Sequence, residues 1–151
     1  MSAPTFDSMT TAMDDLRRLA VASLLDRYLV TLDTEQLDDQ WARSLFAPDA
    51  VVTFPVGRHE GIGGLAGFHR TALGKFHRTQ HMGSPAVVDL AGNRAFLRAN
   101  LMSTQVKHDM SIFVTGTLAR GEAQLTVAGW RLALLTIELV WMTGEPPISR
   151  D

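Results

Sequence analysis

The sequence predicts an α+β fold, a cone-shaped α+β barrel in which N-terminal helices pack in the concave face of a curved, mostly antiparallel sheet. Up to about residue 46 the apolar residues recur at helical spacings of three, four and seven. From about residue 86 they alternate as they do in strands. Helices that precede such a sheet pack against one of its faces. A bent sheet covered in this way encloses space for a ligand.

The composition indicates one domain without a strongly charged partner. A chain of 151 residues with 46% hydrophobic residues can bury a core and still hold a pocket. The net charge of -2, with no cluster of Lys or Arg, argues against nucleic acid or an acidic membrane as partner. Cysteine is absent, which removes disulfides and cysteine-based zinc sites. Because no apolar run reaches the roughly 18 residues of a membrane span and the N-terminus lacks the order of a signal peptide, we expect a cytoplasmic protein.

The first third of the chain predicts a tail and two helices. Residues 1–11 are unpatterned and predict a mobile tail, followed by one domain over residues 12–145 and a C-terminal tail over residues 146–151. A capping pair, Thr11 and Asp14, opens a predicted helix that ends near Leu32. Its apolar face consists of Val21, Leu25, Tyr28, Leu29 and Leu32. A second helix is predicted from Glu35 to about Phe46, with Leu37, Trp41 and Leu45 in one apolar row.

Asp33 lies at the end of the first helix, one turn beyond Leu29 in the same row. A negative charge is unfavourable at a helix C-terminus, by a few tenths to about 1 kcal/mol. A functional role would explain the position. A structural role is equally open, since Asp33 or Thr34 could cap the second helix.

The middle of the chain is rich in glycine. A strand is predicted from Ala50 to Val56, and it ends or lies at a sheet edge because Pro55 has no amide donor. Residues 61–67 overlap a dinucleotide-binding pattern. No second parallel strand with an acidic residue follows at the required distance, so we expect no nucleotide cofactor. The glycines instead admit a short helix from Leu65 to about Phe76.

Histidines follow in this region. We expect His69 and His77 on the short helix to be solvated. His77 and His81 have the spacing of a two-histidine metal face, but the β-formers after Pro85 argue against one helix through both, and we expect no metal. His81 lies at the mouth of a strand, where a polar side chain is well placed to face a cavity. The role of His59 stays open.

From Ala86 the pattern predicts a sheet. Val87–Leu90 and Ala95–Lys107 form a hairpin, and further strands follow at 112–118, 123–127 and 130–142. On the long arm one set of alternating residues mixes apolar with hydrogen-bonding groups, as a ligand cavity does, although a half-solvated outer face is the alternative. This set is Phe96, Arg98, Asn100, Met102, Thr104, Val106 and His108. Glu138 in the last strand either points to solvent or lies protonated in the site, because burying its unpaired charge costs several kcal/mol.

From about Met13 to Gly144 the chain resembles the nuclear transport factor 2-like superfamily, in its SnoaL-like and scytalone dehydratase-like branch. The similar pieces are Arg27-Tyr28 through Leu32-Asp33 followed by Trp41, Leu45-Phe46-Ala47-Pro48-Asp49-Ala50, Thr79-Gln80-His81, His108 at the end of the long strand, and Gly129-Trp130-Arg131-Leu132.

The resemblance implies a cofactor-free lyase or dehydratase, isomerase or cyclase that acts on a small polycyclic, aromatic or polyketide-like molecule in the cone. Asp33, His81 and His108 match the acidic residue and the histidine pair that transfer protons in the dehydratase. The residues expected to contact the substrate are Tyr28, Trp41, Phe54, Arg98, Asn100, Met102 and Glu138. The family also implies a homodimer.

Two departures from the family pattern keep other functions open. The two tyrosines of the dehydratase fall on Leu32 and Phe54, so scytalone itself is not the expected substrate. Without them the same cone could bind a small molecule and not turn it over, or serve as an accessory subunit. A weaker alternative is an epoxide hydrolase, for which Arg98-Ala99-Asn100 would replace the Arg-x-Asp of that branch.

Overall fold

The computed structural model describes residues 1–148, and residues 149–151 of the expected C-terminal tail lie outside the described residues. Within that range the chain forms three helices and seven strands. The helices are α1 (Phe6–Thr34), α2 (Asp39–Leu45) and α3 (Leu65–Leu73). The strands are β1 (Phe46–Phe54), β2 (Gly57–Glu60), β3 (Arg78–Gly83), β4 (Val87–Ala91), β5 (Arg94–Val106), β6 (Ile112–Thr126) and β7 (Gly129–Thr143).

The strands form one curved sheet in the order β2-β1-β7-β6-β5-β3. Both β3 and β4 pair with β5, β4 with residues 94–98 and β3 with residues 101–106. All of these pairings are antiparallel except that of β1 with β7, which is parallel. The three helices pack against the sheet, which confirms the predicted α+β cone, although the sheet stays open and does not close into a barrel.

The core lies between α1 and the concave face of the sheet. All five residues of the predicted apolar face of α1 are buried, together with Leu24. They meet small and aliphatic residues of three strands, namely Ala95, Leu97, Ala99, Leu101, Ala119, Ala123, Leu132 and Leu135. Fully burying one such leucine stabilises the fold by about 1.5–3 kcal/mol. The alanines allow the helix to approach the strands closely.

Helix α1 begins earlier than predicted. Its N-cap is Thr5, whose side chain accepts a hydrogen bond from the Ser8 amide at 3.2 Å, and such a cap stabilises a helix start by about 1 kcal/mol. The expected N-terminal tail is therefore helical from Phe6 onward.

The N-cap of α2 shows whether Asp33 is a capping residue. The Asp38 carboxylate accepts from the Trp41 amide at 2.8 Å, and α2 begins at Asp39. Asp33 and Thr34 therefore do not cap this helix, and the capping interpretation is wrong. The chain then passes from Leu45 directly into β1, which begins at Phe46 and not at the predicted Ala50. It ends at Phe54, just before Pro55, which was expected to limit the strand.

Two strands differ from the sequence expectation. Residues 78–83, expected to be a junction, form β3, and β6 runs without a break through Gly121. A Cβ at Gly121 would lie 2.9 Å from Leu97 Cδ2, so glycine there allows Leu97 to pack across the strand. No helix within residues 1–148 is long and apolar enough to cross a membrane.

Candidate functional site

The end of α1 and strand β3 bring a carboxylate and an imidazole together. Asp33 Oδ1 lies 2.7 Å from His81 Nδ1, and Asp33 Oδ2 accepts from the His81 amide at 2.7 Å. The Thr79 hydroxyl donates to Asp33 Oδ1 at 2.8 Å. Three donors on one carboxylate fix its position and offset the unfavourable placement of a negative charge at a helix C-terminus. Both side chains of the pair are 13% exposed.

This contact also assigns the tautomer of His81. An ionised carboxylate only accepts hydrogen bonds, so Nδ1 carries the proton and Nε2 keeps its lone pair in the neutral imidazole. Within residues 1–148 Nε2 makes no hydrogen bond. It is also not one of the buried polar atoms that lack a partner, so it is accessible from outside the protein. A carboxylate behind an imidazole whose second nitrogen is open is the arrangement of a general base.

Hydroxyl side chains continue from His81 across the concave face. His81 stands directly opposite Ser103 on β5, and Ser103 stands opposite Thr115 on β6. Directly opposite residues of antiparallel strands project to the same face with Cβ atoms about 4.5–5.5 Å apart. Thr117, two positions further along β6, is buried and its Oγ1 has no partner within the described chain. These hydroxyls could contact a ligand beside the imidazole.

A second histidine, His69, occupies the interior of the cone. Its Nδ1 donates to the Leu65 carbonyl at 2.8 Å. Nε2 therefore accepts, and the Tyr28 hydroxyl donates to it at 2.9 Å. Five aromatic rings surround the imidazole at centroid distances from 5.1 to 6.2 Å, namely Tyr28, Trp41, Phe46, Phe54 and Phe68. The expectation that His69 is solvated is wrong.

Burial sets the charge state of this cluster. Desolvation lowers the pKa of His69 to about 4, with smaller contributions from the charges of His59 and His81. Desolvation also raises the pKa of Tyr28 well above its ordinary value. Both groups are therefore neutral around pH 7. Three residues expected to contact the substrate, Tyr28, Trp41 and Phe54, belong to this neutral aromatic cluster.

His108 does not join Asp33 and His81. Strand β5 ends at Val106, which pairs with Arg78, so His108 lies beyond the far end of β3. The side chain is exposed, its Nε2 donates to the Gly74 carbonyl at 3.3 Å, and its ring lies 6.4 Å from that of His77. The structure therefore does not bring His108, the second expected catalytic histidine, to the Asp33–His81 pair.

Four further residues expected to contact the substrate lie on the outer surface. Arg98, Asn100 and Met102 are exposed, because the buried face of β5 is the alternate set that begins with Ala95 and Leu97. Glu138 is exposed and forms an ion pair with Arg120 at 3.4 Å. Charged side chains stay outside because burying them unpaired is costly. The Arg98-x-Asn100 element of the epoxide hydrolase alternative faces outward as well.

Two open cavities adjoin the cone. The first, of about 240 Å³, is lined by Leu32, Asp33, Leu73, Phe76, His77, Arg78 and Thr79. The second, of about 400 Å³, is lined by Phe54, Val56, Gly57, His59, Gly64, Gly67, Phe68, Thr71, Ala72 and Lys75. In the described part of the chain, no group of three His, Asp or Glu side chains is placed to hold a metal ion.

Comparison with known proteins identifies related domains and folds. The profile of the family described as "SnoaL-like domain" matches residues 16–136. No curated protein sequence matches the chain. A nuclear transport factor 2-like superfamily protein from Salmonella enterica subsp. enterica serovar Typhimurium str. LT2 has a similar structure, with a TM-score of 0.76, 22% identity, and coverage of 87% of this chain and 96% of that one.

Two other solved structures carry names of enzymes. A protein from Novosphingobium aromaticivorans DSM 12444, described as a proposed scytalone dehydratase, has a TM-score of 0.79 and 16% identity, and covers 93% of this chain and 99% of its own. The hexachlorocyclohexane dehydrochlorinase LinA type 2 has a TM-score of 0.75 and 17% identity, with coverage of 91% and 95%. At these identities the likeness establishes the cone fold, and the expected resemblance to this superfamily is confirmed.

Proposed function

Because the chain belongs to the SnoaL-like domain family, we propose that it is an acid-base enzyme of the isomerase or dehydratase type, acting on a small ring-containing molecule held in the cone. The observation that carries this proposal is the 2.7 Å contact between Asp33 Oδ1 and His81 Nδ1. It combines an oriented imidazole, an open Nε2 and a carboxylate held by three donors.

In the proposed reaction His81 Nε2 takes a proton from a substrate carbon beside a carbonyl or beside a carbon that bears a leaving group. The imidazole becomes an imidazolium, and Asp33 stabilises its positive charge while holding the ring in place. General-base catalysis by a positioned histidine contributes about 100- to 10,000-fold to the rate. The chemistry uses side chains of the protein alone.

A single base supports two outcomes. His81 can return the proton to a different carbon, which isomerises the substrate. Alternatively, the electrons of the broken C–H bond form a C=C bond while the leaving group departs with its own electron pair, which is an elimination. Hydroxyls of Ser103 and Thr117 could stabilise the departing group. The names dehydratase and dehydrochlorinase of two structural neighbours denote eliminations, which supports this class.

A second candidate is ligand binding without turnover. It is favoured by the cavity of about 400 Å³ that lies beside the stacked rings of Phe54 and Phe68, next to the aromatic cluster around His69. Lys75 at this cavity would suit a planar molecule that carries an anionic group.

The test is carbon-bound hydrogen exchange, which requires no knowledge of the final product. A panel of cyclic ketones and of hydroxylated or halogenated ring compounds is incubated with the protein in D₂O and followed by NMR. We expect exchange or elimination with the wild type and with His108→Ala, and its loss with His81→Ala and Asp33→Asn. Turnover that survives His81→Ala would overturn the proposed base. A compound that binds but neither exchanges nor reacts would favour the binding role.

A further inference from the structure

The N-terminal half of α1 extends beyond the folded domain. Every residue from Phe6 to Ala20 is exposed except Asp14, which is half-buried, and burial begins at Val21. We call residues 6–20 the arm. It is a helical segment about 22 Å long at 1.5 Å per residue. The match to the family profile begins at residue 16, within the arm.

The arm carries an apolar stripe with the spacing of a coiled coil. Phe6, Met9, Met13, Leu16 and Ala20 follow one another at intervals of three, four, three and four, which is the pattern of the a and d positions of heptads. The four large side chains are 83%, 53%, 54% and 66% exposed. At about 100° per residue, the stripe is rotated by roughly 100° from the buried face of the same helix. It cannot pack on its own domain.

We propose that the arm pairs with the arm of a second copy of this chain in an antiparallel two-helix coiled coil, which makes the protein a dimer. This proposal is independent of the proposed catalytic function. The spacing of the stripe indicates what the partner is. Side chains at a and d positions pack between the side chains of another helix with the same spacing, and a second copy of the arm is such a helix.

The position of the folded domain favours the antiparallel orientation. Burial begins at Val21, so each arm leads directly into its own domain. A parallel pair would place both domains at the same end of the coiled coil, whereas an antiparallel pair places them at opposite ends and lets the two helix dipoles attract each other. Arg17 and Arg18 pair within their own helix, with Asp14 at 3.5 Å and Asp15 at 3.2 Å, so they do not oppose either orientation.

The area of the stripe sets the expected affinity. Its large side chains together with Leu19 expose roughly 600 Å² per arm, somewhat less than the roughly 800 Å² per partner of a standard stable complex. We therefore expect a dimer that forms reversibly at micromolar chain concentrations. Pairing would also stabilise the arm itself, because a helical segment of this length is marginal in water without packing.

The experiment is sedimentation equilibrium of the full chain from about 1 to 200 µM, a range that brackets micromolar dissociation constants. The test variant is Met9→Glu combined with Met13→Glu, which places charges in the seam. The matched control is Thr11→Glu, on the opposite side of the arm. We expect the dissociation constant to rise roughly 100-fold or more in the test variant and to change little in the control. Near-ultraviolet circular dichroism should be the same for all three proteins, because the arm lies outside the core.

Two results would overturn the proposal. One is a wild type that stays monomeric over the whole range. The other is a test variant that dimerises as well as the wild type, which would place the contact on another surface, such as the outer face of the sheet.

The orientation is tested by crosslinking, which the absence of cysteine from the chain makes simple. In an antiparallel seam the d position Met9 packs against the a position Met13 of the second copy. Met9→Cys and Met13→Cys proteins should therefore form disulfides with each other when mixed and far less when oxidised separately. Disulfides that form mainly between two copies of the same variant would show a parallel pair and overturn the antiparallel assignment.

Discussion

The Tyr28 hydroxyl lies 2.9 Å from Nε2 of His69, and this hydrogen bond joins α1 to α3 inside the cone. The other ring nitrogen of His69 donates to the Leu65 carbonyl. Both nitrogens are thus paired, and the imidazole can remain buried and neutral among aromatic rings. The contact shares no hydrogen bond with the Asp33–His81 dyad, and it stabilises the domain.

Replacing Tyr28 by phenylalanine should destabilise the protein by about 1–3 kcal/mol, because it leaves a buried acceptor without its donor. Urea denaturation followed by circular dichroism measures this difference. In a His69→Leu background the same change should cost much less, since the hydroxyl has already lost its acceptor. Equal costs in the two backgrounds would contradict a specific Tyr28–His69 interaction.

The stability of the protein should fall as the pH falls from about 6.5 to about 4 because of His69. In the unfolded chain an ordinary histidine gains its proton near pH 6.5, whereas burial lowers the pKa of His69 in the folded state to about 4. The contribution of neutral His69 is thus fully present above pH 6.5. It is lost progressively toward pH 4, where the loss reaches about 3 kcal/mol.

The measurement for this prediction is urea denaturation across that range, with His69→Gln as the reference. Glutamine does not titrate, while all carboxylates remain, so the difference between the two proteins isolates the histidine. Parallel stability curves for the two proteins would show that His69 is not the group responsible.

Asp33→Asn should reduce any turnover by roughly 100- to 10,000-fold, the range ascribed to an oriented acid-base group. The amide lacks the charge that stabilises the imidazolium of His81. If its NH₂ group replaced Oδ1, it would face the Nδ1–H donor of His81. Nitrogen-15 NMR of His81 should show loss of the fixed Nδ1–H tautomer. Asp109→Asn is the control, since Asp109 is an exposed carboxylate that accepts from Ser111, and it should leave turnover and the His81 spectrum unchanged.

Thr117→Val should leave stability unchanged or raise it by up to about 1 kcal/mol, because it removes a buried hydroxyl that has no partner among residues 1–148. Thermal unfolding monitors the effect. Thr126→Val provides the contrast, since the Thr126 hydroxyl donates to the Gly129 carbonyl and accepts from the Ala128 amide, and its loss should destabilise. If Thr117→Val proved as costly as Thr126→Val, the hydroxyl would have a partner after all.

The elements with strong periodicity could be predicted from the sequence. The buried face of α1 and the hairpin of β4 and β5 follow from spacing alone, because each face meets the core along its whole length. Strand β3 could not be predicted in this way. Its residues Thr79, Gln80 and His81 are polar, and they are extended because they pair with Gln105, Thr104 and Ser103 of β5.

The alternation along β5 leaves two orientations open, with Arg98, Asn100 and Met102 lining a cavity or forming a half-solvated outer face. The structure places them on the outer face. The alternation of alanine and leucine on the other face is the stronger signal, since small apolar residues allow helix packing. The burial of His69 could also be predicted from its position in the sequence. His69 lies four residues after the buried Leu65 on α3, on the face that packs into the core.

The proximity of Asp33 to His81 depends on tertiary packing. The two residues are 48 positions apart, and only the docking of α1 on β3 brings them together. The family resemblance pointed to both residues, but it also pointed to His108, which the end of β5 places elsewhere.

The parallel pairing of β1 with β7 has a consequence for how the protein is made. Phe46 pairs with Leu132 in this contact, so the sheet cannot be completed until the segment that forms β7 has left the ribosome. Closing such a long loop is entropically costly and slows folding. The segments that carry Asp33 and His81 are synthesised much earlier. During synthesis the dyad could therefore meet before the last strand arrives, while the edge of β6 that β7 later covers stays unpaired and vulnerable to aggregation.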